Sequence, residues 1–226
     1  MRRINVITLL SIFTLLLWVS INLFGATSQD GLWECEVNDE REAAILSYNG
    51  EAEELEIPEY IDGYRVVAID ERAFEFCIGL ISVTIPDSVM TIGDNAFYYC
   101  LSLTDVTMPE NLMSIGNGAF AYCMELTSID IPPYVTDIGA EAFSYCSGLE
   151  SITLPDGLTV IEESAFTGCD NLASVTWSEN VTSIEERAFA YCHALKEVIL
   201  PESLISIGEF AFGECSGLTR IVFRKD

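Results

Sequence analysis

Apolar side chains recur along this chain on a fixed clock. The pair Ala-Phe stands at Ala73-Phe74, Ala96-Phe97, Ala119-Phe120, Ala142-Phe143, Ala165-Phe166, Ala188-Phe189 and Ala211-Phe212, every 23 residues and without an insertion. Other apolar rows keep the same step. An isoleucine precedes each Phe by four residues, from Ile69 to Ile207. A cysteine row runs from Cys77 to Cys215, and a leucine row from Leu80 to Leu218. Two further rows run from Val83 to Ile221 and from Ile85 to Phe223. In Leu103-x-x-Val106-x-Met108-Pro109 the alternation predicts a short strand, ended by proline. Ala96, Phe97 and Cys100 have the spacing of one face of about one helical turn. Each unit therefore reads as a strand, a turn and a short helical segment. Units of constant length bury their apolar faces against their neighbours. The predicted fold is an α/β-type solenoid of seven 23-residue units, Tyr64 to Arg224, with parallel strands about 4.8 Å apart. Residues 27–63 are expected to form an N-terminal cap and 64–226 the solenoid.

These residues carry a family resemblance. The pattern Leu-x-x-Val-x-Ile/Leu-Pro, then Ile-Gly-x-x-Ala-Phe-x-x-Cys, resembles the BspA-like, or treponemal-type, leucine-rich repeats. It holds in phase from Tyr64 to Arg224. Leu55-Glu56-Ile57-Pro58 and Tyr60 to Tyr64 look like that family's lead-in. The departures are Ser178 for Pro, Glu162 and Glu185 for Gly, and Trp177 at a strand position. The resemblance implies a leucine-rich repeat stack with a non-enzymatic, adhesive or protein-binding role.

The N-terminus reads separately. Arg2 and Arg3 precede a charge-free run from Ile4 to Gln29, mostly apolar through Phe24. Residues 1–26 read as an export signal with an imperfect cleavage site at Phe24-Gly25-Ala26, or as an uncleaved membrane anchor through 4–26. Either way the two arginines stay inside and the repeats lie outside, secreted or at the cell surface. The net charge of −26 argues against nucleic acid and anionic membranes as partners. Solubility of an extended rod is the simplest account of this acidity. Residues 30–63 hold 12 acids and one base, with Trp33, Ile45, Leu46 and Tyr48 suggesting a hairpin-like cap. The last unit has no comparable cap. Four of the seven basic residues after Tyr64 fall between Lys196 and Lys225. They either blunt an open edge or mark self-association through the C-terminal end, and a fragment of a longer protein is the third alternative.

Catalytic and metal chemistry find little support. Seven of the eight cysteines occupy one internal row and read as small buried hydrophobes, neighbouring Cβ vectors being parallel and poorly aimed for bridging. Cys35 lies outside the row, and a bridge to Cys77 has no support beyond their presence. There is no Cys-x-x-Cys or Cys/His cluster for zinc, no Asp-x-Asp-x-Asp-Gly calcium loop and no phosphate-binding glycine loop. His193, the only histidine, does not share a helical face with Cys192, so no nucleophile pair and no Ser/His/Asp set is expected. The pairs Glu162-Glu163 and Glu185-Glu186 read as solvated turns. A positive-φ turn would account for Gly93, Gly116, Gly139 and Gly208, although Glu162 and Glu185 share their position. No catalytic residue, metal or cofactor is assigned.

Two exposed features are candidates for binding. The first is the strand face formed by Ser82, Thr84, Asp105, Thr107, Ser128, Asp130, Ser151, Thr153, Ser174 and Thr176, where a protein ligand on a host or cell surface is expected. The second is an aromatic row, Phe76, Tyr99, Tyr122, Tyr145 and Tyr191, which packing of ring on ring would also explain. Asn180-Val181-Thr182 is a glycosylation pattern, relevant only in a eukaryote. A structural envelope component assembling end to end, and a carbohydrate-binding or accessory module, remain the alternatives.

Overall fold

A computed structural model describes residues 24–224; most of the predicted export segment therefore lies outside the described residues. The chain opens with β1 (Phe24–Thr27), β2 (Trp33–Val37) and β3 (Glu42–Tyr48), an antiparallel meander. Strand β1 overlaps the expected cleavage site. Then come β4 (Glu54–Glu56), β5 (Tyr60–Ile61) and β6 (Tyr64–Ile69). β3 lies parallel to β6, with an irregularity between Ala43 and Ala44, and so joins the cap to the first coil.

Beyond β6 each turn of the solenoid carries up to two short strands. They are β7 (Ser82–Thr84), β8 (Thr91–Ile92), β9 (Asp105–Thr107), β10 (Ser114–Ile115), β11 (Asp137–Ile138) and β12 (Ser151–Thr153). The series continues with β13 (Val160–Ile161), β14 (Ser174–Thr176), β15 (Ser183–Ile184), β16 (Glu197–Leu200), β17 (Ser206–Ile207) and β18 (Arg220–Phe223). The predicted strands form one face, in the ladders β4-β7-β9, β12-β14 and β16-β18. A second face, not foreseen, is built from the isoleucine row: β6-β8-β10-β11, then β13-β15-β17. Pairs between coils are parallel and, from β6 and β7 onward, offset by one repeat, such as Ile115 opposite Ile92 and Ile138. The lead-in segment supplies an additional turn at the start, giving about eight turns in all.

The helical part of the expected α/β architecture is not formed: no α-helix occurs among the described residues. The backbone hydrogen bonds give the reason. In the segment around each Phe, alternate N–H groups donate to the next coil: Arg72 to Asp94 O, Phe74 to Ala96 O and Phe76 to Tyr98 O. The intervening ones turn back three residues: Ala73 to Asp70 O, Glu75 to Arg72 O and Cys77 to Phe74 O. Donors committed to a neighbouring coil cannot serve an i to i−4 ladder. Two residues per coil adopt left-handed backbone to achieve this. One row runs from Arg72 to Phe210 with φ of 54° to 61°, the other from Phe76 to Glu214 with φ of 58° to 71°. Either row would interrupt a helix.

The core lies between the two strand faces and this turn segment. Phe97, Phe120, Phe143, Phe166 and Phe189 are fully buried, and their rings stack coil on coil. Centroid spacings from Phe74 to Phe212 run from 4.8 to 5.5 Å with planes within 7° of parallel. Trp33 and Tyr48 of the cap close the first end against Phe74. The cysteine row is buried from Cys100 to Cys215, and all eight thiols are free, Cys35 and Cys77 included. Each buried thiol of the row donates to the Phe carbonyl of the preceding coil, as Cys146 Sγ does to Phe120 O at 3.1 Å. The same bond recurs in the other five coils at 3.0 to 3.3 Å. Burial pushes the Cys100 and Cys146 thiols up to about 12.

Candidate functional site

A groove of about 1070 Å³ runs along the isoleucine-row face, from the cap to the coil of Glu162. Thr91, Ser114 and Asp137 line it in register, one per coil, Val160 follows one repeat on beyond a break in the ladder, and Met90 and Met113 lie beside them. The glycine row Gly93, Gly116 and Gly139 runs along it. These glycines do not have positive φ, contrary to the expectation. They are required by close approach instead. A Cβ on Gly116 would lie 2.6 Å from Asp94 N and from Gly93 C; on Gly139 it would lie 2.6 Å from Asn117 N. Coils meet backbone to backbone there, and the absence of a Cβ is what allows that approach. Glu162 takes over the row at the far end and lines the groove.

The lining is strongly acidic. Glu36, Glu40 and Glu42 come from the cap, Asp70 and Asp94 from the first coils, and Asp137 and Glu162 from the far half. No Lys, Arg or His lines it. None of the seven carboxylates has an ion-pair partner among the described residues. Four are held by neighbours, Glu42 Oε2 accepting from Asn38 Nδ2 at 2.9 Å. Asp94 Oδ1 accepts from Asn117 N at 2.7 Å, Asp70 Oδ1 from Glu71 N at 2.7 Å, and Asp137 Oδ2 from Thr136 Oγ1 at 2.8 Å. Desolvation, then the charges of Glu185 and Asp137, raise the Glu162 carboxyl above the usual range. Among the described residues no three acidic, thiol or imidazole groups gather closely enough to hold a metal ion, so the charge is spread along the groove.

The predicted strand face is on the other ladder. Thr84, Asp105, Thr107, Ser151, Thr153, Ser174 and Thr176 are exposed, and Ser82 is half-buried. Register brings Ser82 beside Asp105, Thr84 beside Thr107, Ser151 beside Ser174 and Thr153 beside Thr176. Ser128 and Asp130 are exposed but belong to no ladder, so the face is interrupted between β9 and β12. The aromatic row is the second left-handed row. Phe76, Tyr99, Tyr122 and Tyr145 form a continuous, partly exposed run with centroids 4.8 to 5.5 Å apart. Tyr145 lies over Gly168, where an added Cβ would come within 2.6 Å of its ring, and Tyr191 stands apart beyond that gap. Asn180 is exposed and donates from Nδ2 to Asp156 O at 2.9 Å.

One grouping was missed. The position after each cysteine stacks Asp170, His193 and Ser216 in adjacent coils. Ser216 Oγ lies 3.1 Å from His193 Nδ1, and Asp170 Oδ1 lies 3.9 Å from His193 Nε2. Stacking aligns residues 23 apart and so brings the three near one another, but only Ser216 and His193 are within hydrogen-bond reach; at 3.9 Å Asp170 does not orient the imidazole, and no Ser/His/Asp set is formed. All three are exposed, so water screens the pairing and no desolvated site strengthens it. The groove was missed because its isoleucine strands are two residues long and its glycines read as turns. The acids at Asp70, Asp94 and Asp137 were visible, but nothing in their spacing placed them in one concavity.

Stacked coils with in-register Ile, Phe, Cys and Leu rows define a leucine-rich repeat protein. Residues 46–172 and 136–226 match the BspA type leucine rich repeat region in six copies, and the chain belongs to that family. Similar solved structures include a leucine rich cell surface protein from Faecalibacterium prausnitzii, 38% identical with a TM-score of 0.79, over 90% of this chain and 55% of that one. The T. pallidum leucine rich repeat protein is 31% identical with a TM-score of 0.80, over 86% of this chain and 91% of that one. A leucine-rich repeat protein from Bacteroides ovatus is 29% identical with a TM-score of 0.73, over 88% of this chain and 51% of that one. The chain thus spans about half the length of the Faecalibacterium and Bacteroides proteins. No curated protein is similar to it.

Proposed function

We propose that the chain is a non-enzymatic binding module of a bacterial surface protein, exported and engaged in adhesion through a protein ligand. The groove carries this reading. A concavity of about 1070 Å³ bounded by the cap and Glu162 offers a bounded, pre-formed site on a rigid stack. The surface location is supported by the description of the Faecalibacterium relative as a cell surface protein. The ligand is assigned to the groove rather than to the strand face because the groove is a bounded concavity; a break in the ladder does not separate the two, since the strand face is interrupted at Ser128 and Asp130 and the groove face between β11 and β13.

The test is adhesion of protein-coated beads to immobilised extracellular-matrix proteins and to whole cells. Ser114→Trp puts a large ring in the middle of the groove. Thr107→Ala, Asp130→Ala and Thr153→Ala together strip the strand face. Adhesion should fall to background with Ser114→Trp and survive the triple change, with circular dichroism unchanged in both. The opposite pattern would return the site to the strand face, and loss in neither would remove the adhesive reading.

A further inference from the structure

We infer that the groove takes an extended, cationic segment of a protein partner, a run of about seven residues rich in Lys or Arg. The inference rests on the groove being the ligand surface. Length sets the size. Six parallel strands, β3, β6, β8, β10, β11 and β13, contribute to the lining. Five steps of about 4.8 Å make about 24 Å, and an extended chain covers that with about seven residues at 3.3 Å each.

Charge sets the chemistry. Seven carboxylates face the groove, no basic residue lines it, and none of the seven is paired within the described residues. In a concave site such charges reinforce one another's potential and attract cations. The acids are distributed rather than convergent, which suits several separate ammonium or guanidinium groups better than one metal ion. The apolar part of the lining fits as well. Met90 and Met113 are exposed at the groove, and Val160 lies further along. Lysine and arginine stems can lie along these side chains while their heads reach Asp70, Asp94, Asp137 and Glu162. Cap residues Glu36, Glu40 and Glu42 would receive the segment's end.

The test uses rhodamine-labelled octapeptides followed by fluorescence anisotropy: alternating Lys and Thr, alternating Glu and Thr, and alternating Ser and Thr. The Lys peptide should bind at least about tenfold more tightly than the Ser peptide, and raising salt from about 0.05 M to about 0.5 M should weaken it about tenfold or more. The Glu peptide should not bind. Asp70→Asn, Asp137→Asn and Glu162→Gln together should weaken the Lys peptide about tenfold, while Glu110→Gln, Glu125→Gln and Glu150→Gln, which remove equal charge elsewhere, should change it less than about twofold. Equal losses in the two triple variants would overturn the inference, since net charge alone would then explain binding. Spermine competing as well as unlabelled Lys peptide at equal charge would overturn the assignment to a polypeptide. If all three peptides bind alike and Ser114→Trp abolishes them, the groove stands and its charge preference falls. If the Lys peptide binds and Ser114→Trp leaves it unchanged, the groove reading falls with it.

Discussion

Replacing Phe143 by Ala probes the ring ladder at its centre. The side chain is fully buried, and its ring stacks on Phe120 and Phe166 at 5.5 Å each. Phe→Ala in a core costs about 3–5 kcal/mol, and two lost ring pairs at about 0.5–1.5 kcal/mol each place this site at the top of that range. Phe212 makes the contrast. It is only partly buried and stacks on Phe189 alone, so Phe212→Ala should cost about 2 kcal/mol. With a urea slope of about 2–3 kcal/mol per molar, the midpoint should fall about 2 M at Phe143 and under about 1 M at Phe212. Circular dichroism in urea with reductant measures both. Because contacts run only between neighbouring coils, the Phe143→Ala transition should also broaden as its two halves uncouple. Phe143→Leu, costing about 1–2 kcal/mol, serves if the alanine variant does not fold. Equal midpoint shifts at Phe143 and Phe212 would refute the reasoning, since burial and ring neighbours would then not govern the cost.

Three further predictions concern charge and chemistry. Glu162 titrates above its ordinary value of 4.5 in the folded protein, so ionisation there opposes folding; Glu162→Gln should raise the urea midpoint at pH 7, with the gain vanishing below pH 4.5. An unchanged gap between the two pH values would show that ionisation of Glu162 does not oppose folding. Half-buried Cys77 should be the first thiol to react with a disulfide reagent at pH 8, and raising the pH to 10 should recruit neither Cys100 nor Cys146, both pushed up to about 12, while urea should release all eight. Several fast equivalents in the native protein would contradict the buried row. Ser216→Ala should leave activated-ester hydrolysis at the level of the parent protein; a clear loss would make the exposed Asp170, His193 and Ser216 row catalytic after all.

The repeat period by itself determined the solenoid, its family and its buried rows. A fixed 23-residue step with Ile, Phe, Cys and Leu in phase has one economical burial, unit on unit, and side-chain identity is enough to read it. The hydrogen-bond pattern was decided by the tertiary structure. Ala96, Phe97 and Cys100 have helical spacing, yet the N–H of Phe97 finds Ala119 O in the next coil, an acceptor 22 residues away that local periodicity does not reveal. The two left-handed rows follow from that choice. The same limit hid the groove. Gly116 looks like a turn residue in sequence, and only the stacked coils show that it stands where an added Cβ would strike Asp94 and Gly93. Periodicity specifies what each coil buries. How closely two coils approach, which face becomes concave and which carboxylates share it depend on contacts between residues a full repeat apart.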